Sequence, residues 1–493
     1  MLAKPLAAAR APASPLSLPR LVAALTLALG LHGAALASPA SDIASLKKAL
    51  AAMKSDYDKR LGALESQLQD TQAELAKAKA ANAAPPLAAA SANANAAAPV
   101  AAAVAPPPQV AVDTSMAAPT GAVGGGATAF NPQISLILSG TYAHTSQDPA
   151  QARITGFALP PGAEIGVGSR GFSLAESELA LAANIDPWLA GNINLSITGD
   201  DTISAEEAFI TTTALPHGLV LKAGRFFSGI GYLNSQHSHT WDFVDNPIAY
   251  QAMLGTQVAD DGVQLHWLAP TDQYMEFGLE AGRGRSFPGD NGSRNAAGMA
   301  AFTFHTGGDI GDSTSWRAGL SYLQATDKDQ TLDAWGRDDT ALVDQFTGRT
   351  HVVVADGVLK WAPDGNATRT YFKLQGEVLQ SRRSGDLASA GPLHQTQSGG
   401  YLQGVYQFMP MWRVGLRTER LDPGHADFGA SDFALGSTNY HPTKNSIMVD
   451  FSESEFARLR LQFAQDRTRQ GVVDNQFMLQ YQTALGAHGA HAY

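Results

Sequence analysis

The 493-residue chain contains no cysteine, which excludes disulfides and thiolate metal ligands. It also lacks, beyond its N-terminus, any stretch that reads as a membrane-crossing helix. Residues 81–127 are apolar by count, but they are alanine broken by proline, asparagine and glycine. A mature chain that sits in a membrane must therefore cross it as closed strands. Catalytic signatures are missing as well: there is no G-x-S-x-G, Walker loop or H-E-x-x-H, which argues against an enzyme. Base is scarce. The chain has 34 Lys and Arg against 45 Asp and Glu, a net charge of −11. The first 37 residues hold three bases and no acid, so without them the charge is −14. Such a balance disfavours nucleic acid as a partner and favours cations.

What is present divides into four segments. Residues 1–37 read as a signal peptide: Arg10 and Arg20 precede the apolar run Leu21 to Leu31, and Ala35-Leu36-Ala37 gives the small-x-small cleavage pattern. Residues 38–80 read as an α-helical coiled coil. Ile43, Leu46, Leu50, Met53 and Tyr57 keep a 3-4 spacing, and Leu61, Leu64, Leu68, Thr71, Leu75 and Ala78 resume it after a four-residue step. That step is a stutter, which locally unwinds a coil. A lone helix with so narrow a stripe buries little, so self-association is the simplest stabilisation; a helix lying on another surface is the alternative. Residues 81–128 form an Ala/Pro-rich, disordered linker without usable period.

From residue 129 to 493 the pattern is β. Ile134, Leu136 and Leu138 alternate with Ser135, Ile137 and Ser139. Leu189, Gly191, Ile193, Leu195 and Ile197 oppose Ala190, Asn192, Asn194 and Ser196. Met275, Phe277, Leu279 and Ala281 oppose Glu276, Gly278 and Glu280. Tyr371, Lys373, Gln375 and Glu377 oppose Phe372, Leu374 and Val378, while Leu459, Leu461 and Phe463 alternate with Arg458, Arg460 and Gln462. One apolar and one polar face, repeated in short segments, fits strands between lipid and a wet lumen. A soluble sandwich also alternates, and the turns separate the two. Short reversals fall at Asp186-Pro187, Pro216-His217-Gly218, Pro270-Thr271-Asp272, Gly307-Gly308-Asp309, Pro363-Asp364-Gly365, Met409-Pro410 and Ser452-Glu453-Ser454. The alternate connections are mostly longer, notably 146–168, 228–260, 325–347 and 422–443. Short turns on one rim and long loops on the other are how outer-membrane barrels are built. The expected fold is an all-β transmembrane antiparallel barrel of about 16 strands, wide enough for an aqueous lumen.

Several stretches, FNPQISLILSGTYAHTSQDP (130–149), LKAGRFFSGIGYLNSQHSHTWDFVDNPIAYQ (221–251), DDGVQLHWLAPTD (260–272), YLQGVYQFMPMWRVGLR (401–417) and LGAHGAHAY (485–493), carry a family likeness. They resemble a proteobacterial family of porin-like outer-membrane proteins often labelled zinc-regulated TonB-dependent outer-membrane receptors. GRFFSGIGYLN is also similar, more loosely, to phosphate-selective porins, and that likeness implies sixteen strands and trimers. The TonB half of the label implies a globular plug ahead of the barrel, where this chain has a coil and a linker instead. The zinc half implies regulation by zinc supply.

Loop 228–260 stands out as the longest and most aromatic connection. Trp241, Phe243 and Tyr250 are candidates for a pore constriction, with packing on a neighbouring subunit as the alternative. His237, His239, Asp242 and Asp245 supply nitrogen and oxygen suited to zinc, as ligand or as passing solute; no other cofactor is indicated. His488 and His491 are a second pair, which would need a turn to converge. Glu176, Glu178, Glu276 and Glu280 are candidates for selectivity, because mid-depth carboxylates are costly against lipid. Lys222 belongs to the lumen face of its strand and Arg225 to a rim. The sequence thus points to a passive, trimeric outer-membrane porin for small polar solutes or cations, in contact with outer-membrane lipid. The rival is a tethering protein whose periplasmic coil engages the cell wall or a partner; a TonB-dependent metal receptor lacks its plug.

The isolated 38–80 segment should be helical and self-associating, and placing lysine at Leu64 and Leu68 should weaken the assembly measured by sedimentation. A parent segment that stays monomeric at high concentration refutes the coil.

Overall fold

The computed structural model describes residues 132–290, 295–335, 340–428, 435–436, 438–454 and 456–486. The expected signal peptide, coiled coil and linker, and the pair His488 and His491, lie outside the described residues. The fold is one closed antiparallel sheet. Its first half comprises β1 (Gln133–Thr145), β2 (Gly171–Leu174), β3 (Ser177–Asn184), β4 (Leu189–Ile197), β5 (Ile203–Thr212), β6 (Leu219–Phe227), β7 (Ala259–Leu268) and β8 (Tyr274–Gly282). The second half comprises β9 (Met299–Ile310), β10 (Thr314–Trp335), β11 (Ala341–Trp361), β12 (Tyr371–Leu387), β13 (Gly391–Met409), β14 (Trp412–Asp427), β15 (Thr443–Ser454), β16 (Ala457–Arg467) and β17 (Asp474–Gly486). Each strand pairs with the next, and β17 returns to β1, where Leu138 faces Thr483. β2 and β3 both pair with β1 and are two pieces of one barrel strand, so sixteen strands close the wall.

Two irregularities matter for the interior. Gly140 faces Leu174 while Ile137 faces Glu178, so three steps along β1 match four along β2 and β3. Asn194 faces Glu207 while Leu195 faces Ala205, which leaves Glu206 as the extra residue of β5. Both are β-bulges, which re-aim side chains out of simple alternation.

Alternation elsewhere sorts the two faces. Leu416 is 61 % exposed on the outside, whereas its neighbour Arg417 is 3 % exposed within the lumen. Leu279, Val378, Leu461 and Phe463 likewise face out, and Gln264, Glu280, Gln375, Glu377, Arg460 and Gln462 face in. Trp188, Trp267, Trp361 and Trp412 lie exposed beside the short turns, with Trp267 stacked on Phe277, as the aromatic girdle of a membrane barrel should. An apolar exterior around a polar interior places this protein in the bacterial outer membrane.

Five of the seven expected short turns fall between paired strands, counting Met409-Pro410, whose Met409 ends β13. Ser452-Glu453-Ser454 is instead the end of β15, with Ser454 opposite Ala457. The Gly307-Gly308-Asp309 turn is displaced: β9 runs on to Ile310, and the reversal is at 311–313, where Gly311 takes φ +63°. Gly307 lies within the ladder opposite Arg317, where a Cβ would meet the Trp316 carbonyl oxygen at 2.6 Å. The expected loop 325–347 is mostly strand. β10 and β11 are 22 and 21 residues long, against the ~9–11 that a tilted membrane crossing needs, and they project as a paired hairpin. β14 likewise runs on to Asp427, shortening the expected loop 422–443.

Leu461 sits midway along β16, facing lipid. Leu461→Arg should cost about 2–4 kcal/mol in reversible unfolding from lipid vesicles, and the same change near a rim much less.

Candidate functional site: the inward loop and its charged walls

Residues 228–258, between β6 and β7, fold into the barrel. Asn234 gathers the neck of this loop: its Nδ2 donates to the Ser228 and Val258 carbonyls (2.8 and 3.0 Å), and its Oδ1 accepts from Val258 N (2.8 Å). Beyond the neck the chain forms α1 (Ile248–Leu254), which starts after Pro247 and ends at Gly255 in the left-handed conformation. Every residue of α1 is buried, and the helix lies against β12, β13 and β14 on the far wall. Ile230, Ile248, Met253 and Leu254 join one apolar cluster with wall residues Leu323, Val354, Leu379 and Leu421 and with Phe157 and Leu159 of the first loop.

Wall carboxylates receive the loop's main chain. Glu377 accepts from Tyr232 N (3.0 Å), Leu233 N (3.1 Å) and Tyr250 Oη (2.8 Å), and Glu419 accepts from Ile248 N (2.6 Å). Glu280 accepts from Gly229 N (2.8 Å) and Ser228 Oγ (2.6 Å). A Cβ at Gly231 would stand 2.3 Å from Glu377 Oε2, and its φ is +67°, so this approach needs glycine. Buried N–H groups that find no water are thereby satisfied.

The wall formed by β12 to β16 is basic. Asp242 meets Lys373 Nζ (2.5 Å), Arg413 Nη1 (3.3 Å) and Gln403 Nε2 (3.0 Å). Asp245 meets Lys444 Nζ (2.5 Å), Arg417 Nη2 (2.6 Å) and Gln462 Nε2 (2.7 Å). Arg460 and Arg458 donate to the carbonyls of Trp241 and His239 (2.6 Å each). Burial alone would raise both carboxyls. Lys373 ahead of Arg413, and Lys444 ahead of Arg417, outweigh it and hold Asp242 and Asp245 far below the usual carboxylate range.

The wall formed by β3 and β5 is acidic. His237 Nδ1 lies 3.2 Å from Glu178 Oε2 and 3.3 Å from Glu206 Oε2, and its Nε2 lies 3.1 Å from Glu207 Oε2. His239 Nδ1 lies 3.0 Å from Glu178 Oε2, and Ser238 Oγ donates to Glu176. Burial disfavours a charged His237, but Glu178, Glu206 and Glu207 outweigh it and raise the imidazole well above the ordinary histidine range.

No family model matches the chain. An uncharacterized protein of Aquifex aeolicus (strain VF5) is 30 % identical over 396 residues, covering 74 % of this chain and 80 % of the relative. The chain belongs to the family of that protein. Among solved structures, the outer membrane channel DcaP of Acinetobacter baumannii is 11 % identical with a TM-score of 0.45, over 73 % of this chain and 99 % of that one. An anion-selective porin from Comamonas acidovorans is 12 % identical with a TM-score of 0.44, over 72 % and 100 %. OprB of Pseudomonas putida is 13 % identical with a TM-score of 0.42, over 72 % and 94 %. None of these is described as a TonB-dependent receptor.

The structure divides the residues that sequence grouped together. His237 and His239 stand at the acidic wall, while Asp242 and Asp245 are taken up by basic side chains and do not join them. Trp241, Phe243 and Tyr250 are all buried: Phe243 packs on Val405 and Met448 under Arg417, and Tyr250 is held by Glu377. They fasten the loop and are not its free edge. Glu176, Glu178 and Glu280 contact the loop, whereas Glu276 lies apart with His266 (3.3 Å) and His305 (3.7 Å). Lys222 is inward over Phe209, and Arg225 pairs with Asp261 (2.6 Å). Sequence reasoning places Glu206 and Glu207 only among the carboxylates of a lumen or rim and misses their convergence on His237. It also misses Glu377 and Glu419 as partners of the loop, and the basic wall. Adjacent Glu206 and Glu207 could have signalled a bulge, since regular alternation sends one of two neighbours into lipid.

Asp245→Ala removes the carboxylate shared by Lys444, Arg417 and Gln462. Breaking a buried pair costs about 3–5 kcal/mol, and because Arg417 keeps Glu419 and Lys444 keeps Asp466 the loss should lie at the low end of that range. The loop should then open to chymotrypsin at Trp241, Phe243 or Tyr250, and single-channel conductance should rise and fluctuate.

Proposed function

We propose that the protein is a passive, non-enzymatic channel of the outer membrane for small polar solutes or cations, assembled as a homotrimer. The observation that carries this reading is the inward loop, clamped between an acidic and a basic wall inside a closed sixteen-strand barrel. A loop so placed narrows the lumen without closing the barrel, and the opposed walls orient any dipolar solute that passes. Residues 129–493 hold 24 Lys and Arg against 38 Asp and Glu. Low-dielectric walls focus such a field and raise the local concentration of cations. Among the described residues, the basic side chains nearest the loop are largely spent on Asp242, Asp245 and Asp450, which favours the same sign. A link to zinc finds support in the imidazoles and carboxylates around His237, and not in Asp242 and Asp245.

The second reading, a tether whose coil engages the cell wall or another periplasmic partner, draws its support from the 38–80 heptads alone. Conductance in planar bilayers separates the two, because a tether needs no conducting lumen. Reversal potentials under a KCl gradient should show cation preference that weakens with salt, as the screening length falls from ~10 Å at 0.1 M to ~3 Å at 1 M. An anion-selective potential would instead assign selectivity to local bases, as the looser porin likeness implies.

A further inference from the structure

We propose that Glu178, Glu206 and His237, flanked by His239 and Glu207, form a divalent-cation site that ties the inward loop to the barrel wall. Three observations carry it. First, one ligand atom from each of Glu178, Glu206 and His237 lies within 4.8 Å of the others, the spacing of donors around a single ion. Their side chains are 5, 13 and 15 % exposed, so water competes little.

Second, Glu178 Oε2 is buried and takes no hydrogen bond, although the Nδ1 atoms of His237 and His239 stand 3.2 and 3.0 Å away. Glu178 Oε2 thus stands at hydrogen-bond length from both rings without alignment to either, as a donor to a common point would. His237 itself is aligned with Glu206 Oε2 (3.3 Å) and Glu207 Oε2 (3.1 Å), and an ion at Glu178 and Glu206 would displace the first of these contacts. Third, the wall departs from regular pairing beside Glu178, and at Glu206, and both carboxylates lie at His237. Regular strands would have sent Glu206 outward.

Charge is in keeping with a divalent ion. Glu178, Glu206 and Glu207 crowd around imidazoles that are neutral whenever they ligate, and a divalent cation offsets the repulsion among these carboxylates. Mixed imidazole and carboxylate donors suit zinc or a similar first-row ion better than magnesium, which prefers oxygen and keeps its waters. The competing arrangement is a protonated His237 that staples the loop by ion pairs alone. The site itself rests on these positions; its effect on conduction rests on the channel reading, and the two are measured separately.

The test uses tag-free, full-length protein folded in detergent, with metal salts alone as probes. Calorimetry should show one Zn²⁺ bound per chain, and Co²⁺ should give a visible absorption band of a low-symmetry site. Glu178→Gln, Glu206→Gln and His237→Ala should each weaken Zn²⁺ binding at least tenfold, with heat-modifiable gel migration confirming that the barrel is intact. The near-isosteric glutamines keep the test open if the alanine variant misfolds. Zn²⁺ should also slow chymotrypsin cleavage of the loop in the parent and not in Glu178→Gln. Absence of Zn²⁺ and Co²⁺ binding overturns the site, as does binding that survives all three changes. A loop loosened by Glu178→Gln in a protein that binds no metal assigns the cluster to the ion-pair staple. Zn²⁺ binding by a protein without conductance keeps the site and removes the channel.

Discussion

A strand in hydrocarbon has no water to satisfy its N–H and C=O groups, so the ladder must run without an edge. The return of β17 to β1 meets that constraint, and everything inside depends on it. Closure leaves the outer face with only lipid to touch and the inner face with only lumen. Charged side chains can then be kept at mid-depth, provided they find partners across the interior. The inward loop supplies those partners, and in turn takes its own hydrogen bonds from wall carboxylates. Wall and loop each make the other's buried polarity affordable.

That reciprocity explains why the interior is so uneven. The loop carries two aspartates on one flank and two histidines on the other. The wall answers with Lys373, Arg413, Arg417 and Lys444 on one side, and with Glu178, Glu206 and Glu207 on the opposite side. A net acidic barrel can therefore hold a strongly basic wall without that wall facing the solute unscreened. The apolar cluster between the helix and β10 to β14 adds a dry contact that fixes the loop's height.

Faces were legible in the sequence wherever a strand was regular, because a period of two separates lipid from lumen, as at Leu459 to Gln462 or Phe277 to Glu280. Boundaries failed where strands outlast the membrane: β10 and β11 are polar beyond the bilayer, and polar alternation resembles loop. The loop was legible as a site from its aromatics and histidines. Its partners were not, since Asp242 and Asp245 look equally suited to a metal until Lys373 and Lys444, far along the chain, stand beside them. Pro247 and Gly255 bracket a one-to-two-turn helix with ordinary start and stop signals. That helix is too short for periodicity to reveal. Bulges break the alternation on which the faces are read, and of the two that shape the acidic wall only the one at the adjacent carboxylates Glu206 and Glu207 left a sign in the sequence.

The clasp between loop and wall also fixes an order of events. Tyr250 reaches a residue 127 positions further along the chain, and the Trp241 carbonyl reaches one 219 positions further. The hairpin of β6 and β7 can pair long before either anchor exists, with its loop still outside any lumen. Contacts of such long sequence separation form late, after the intervening chain has lost its freedom. Docking of the loop thus reports that the final strands are seated. It acts as a latch on a finished barrel, so a chain truncated before β16 would carry a pore-lining segment with nowhere to lodge.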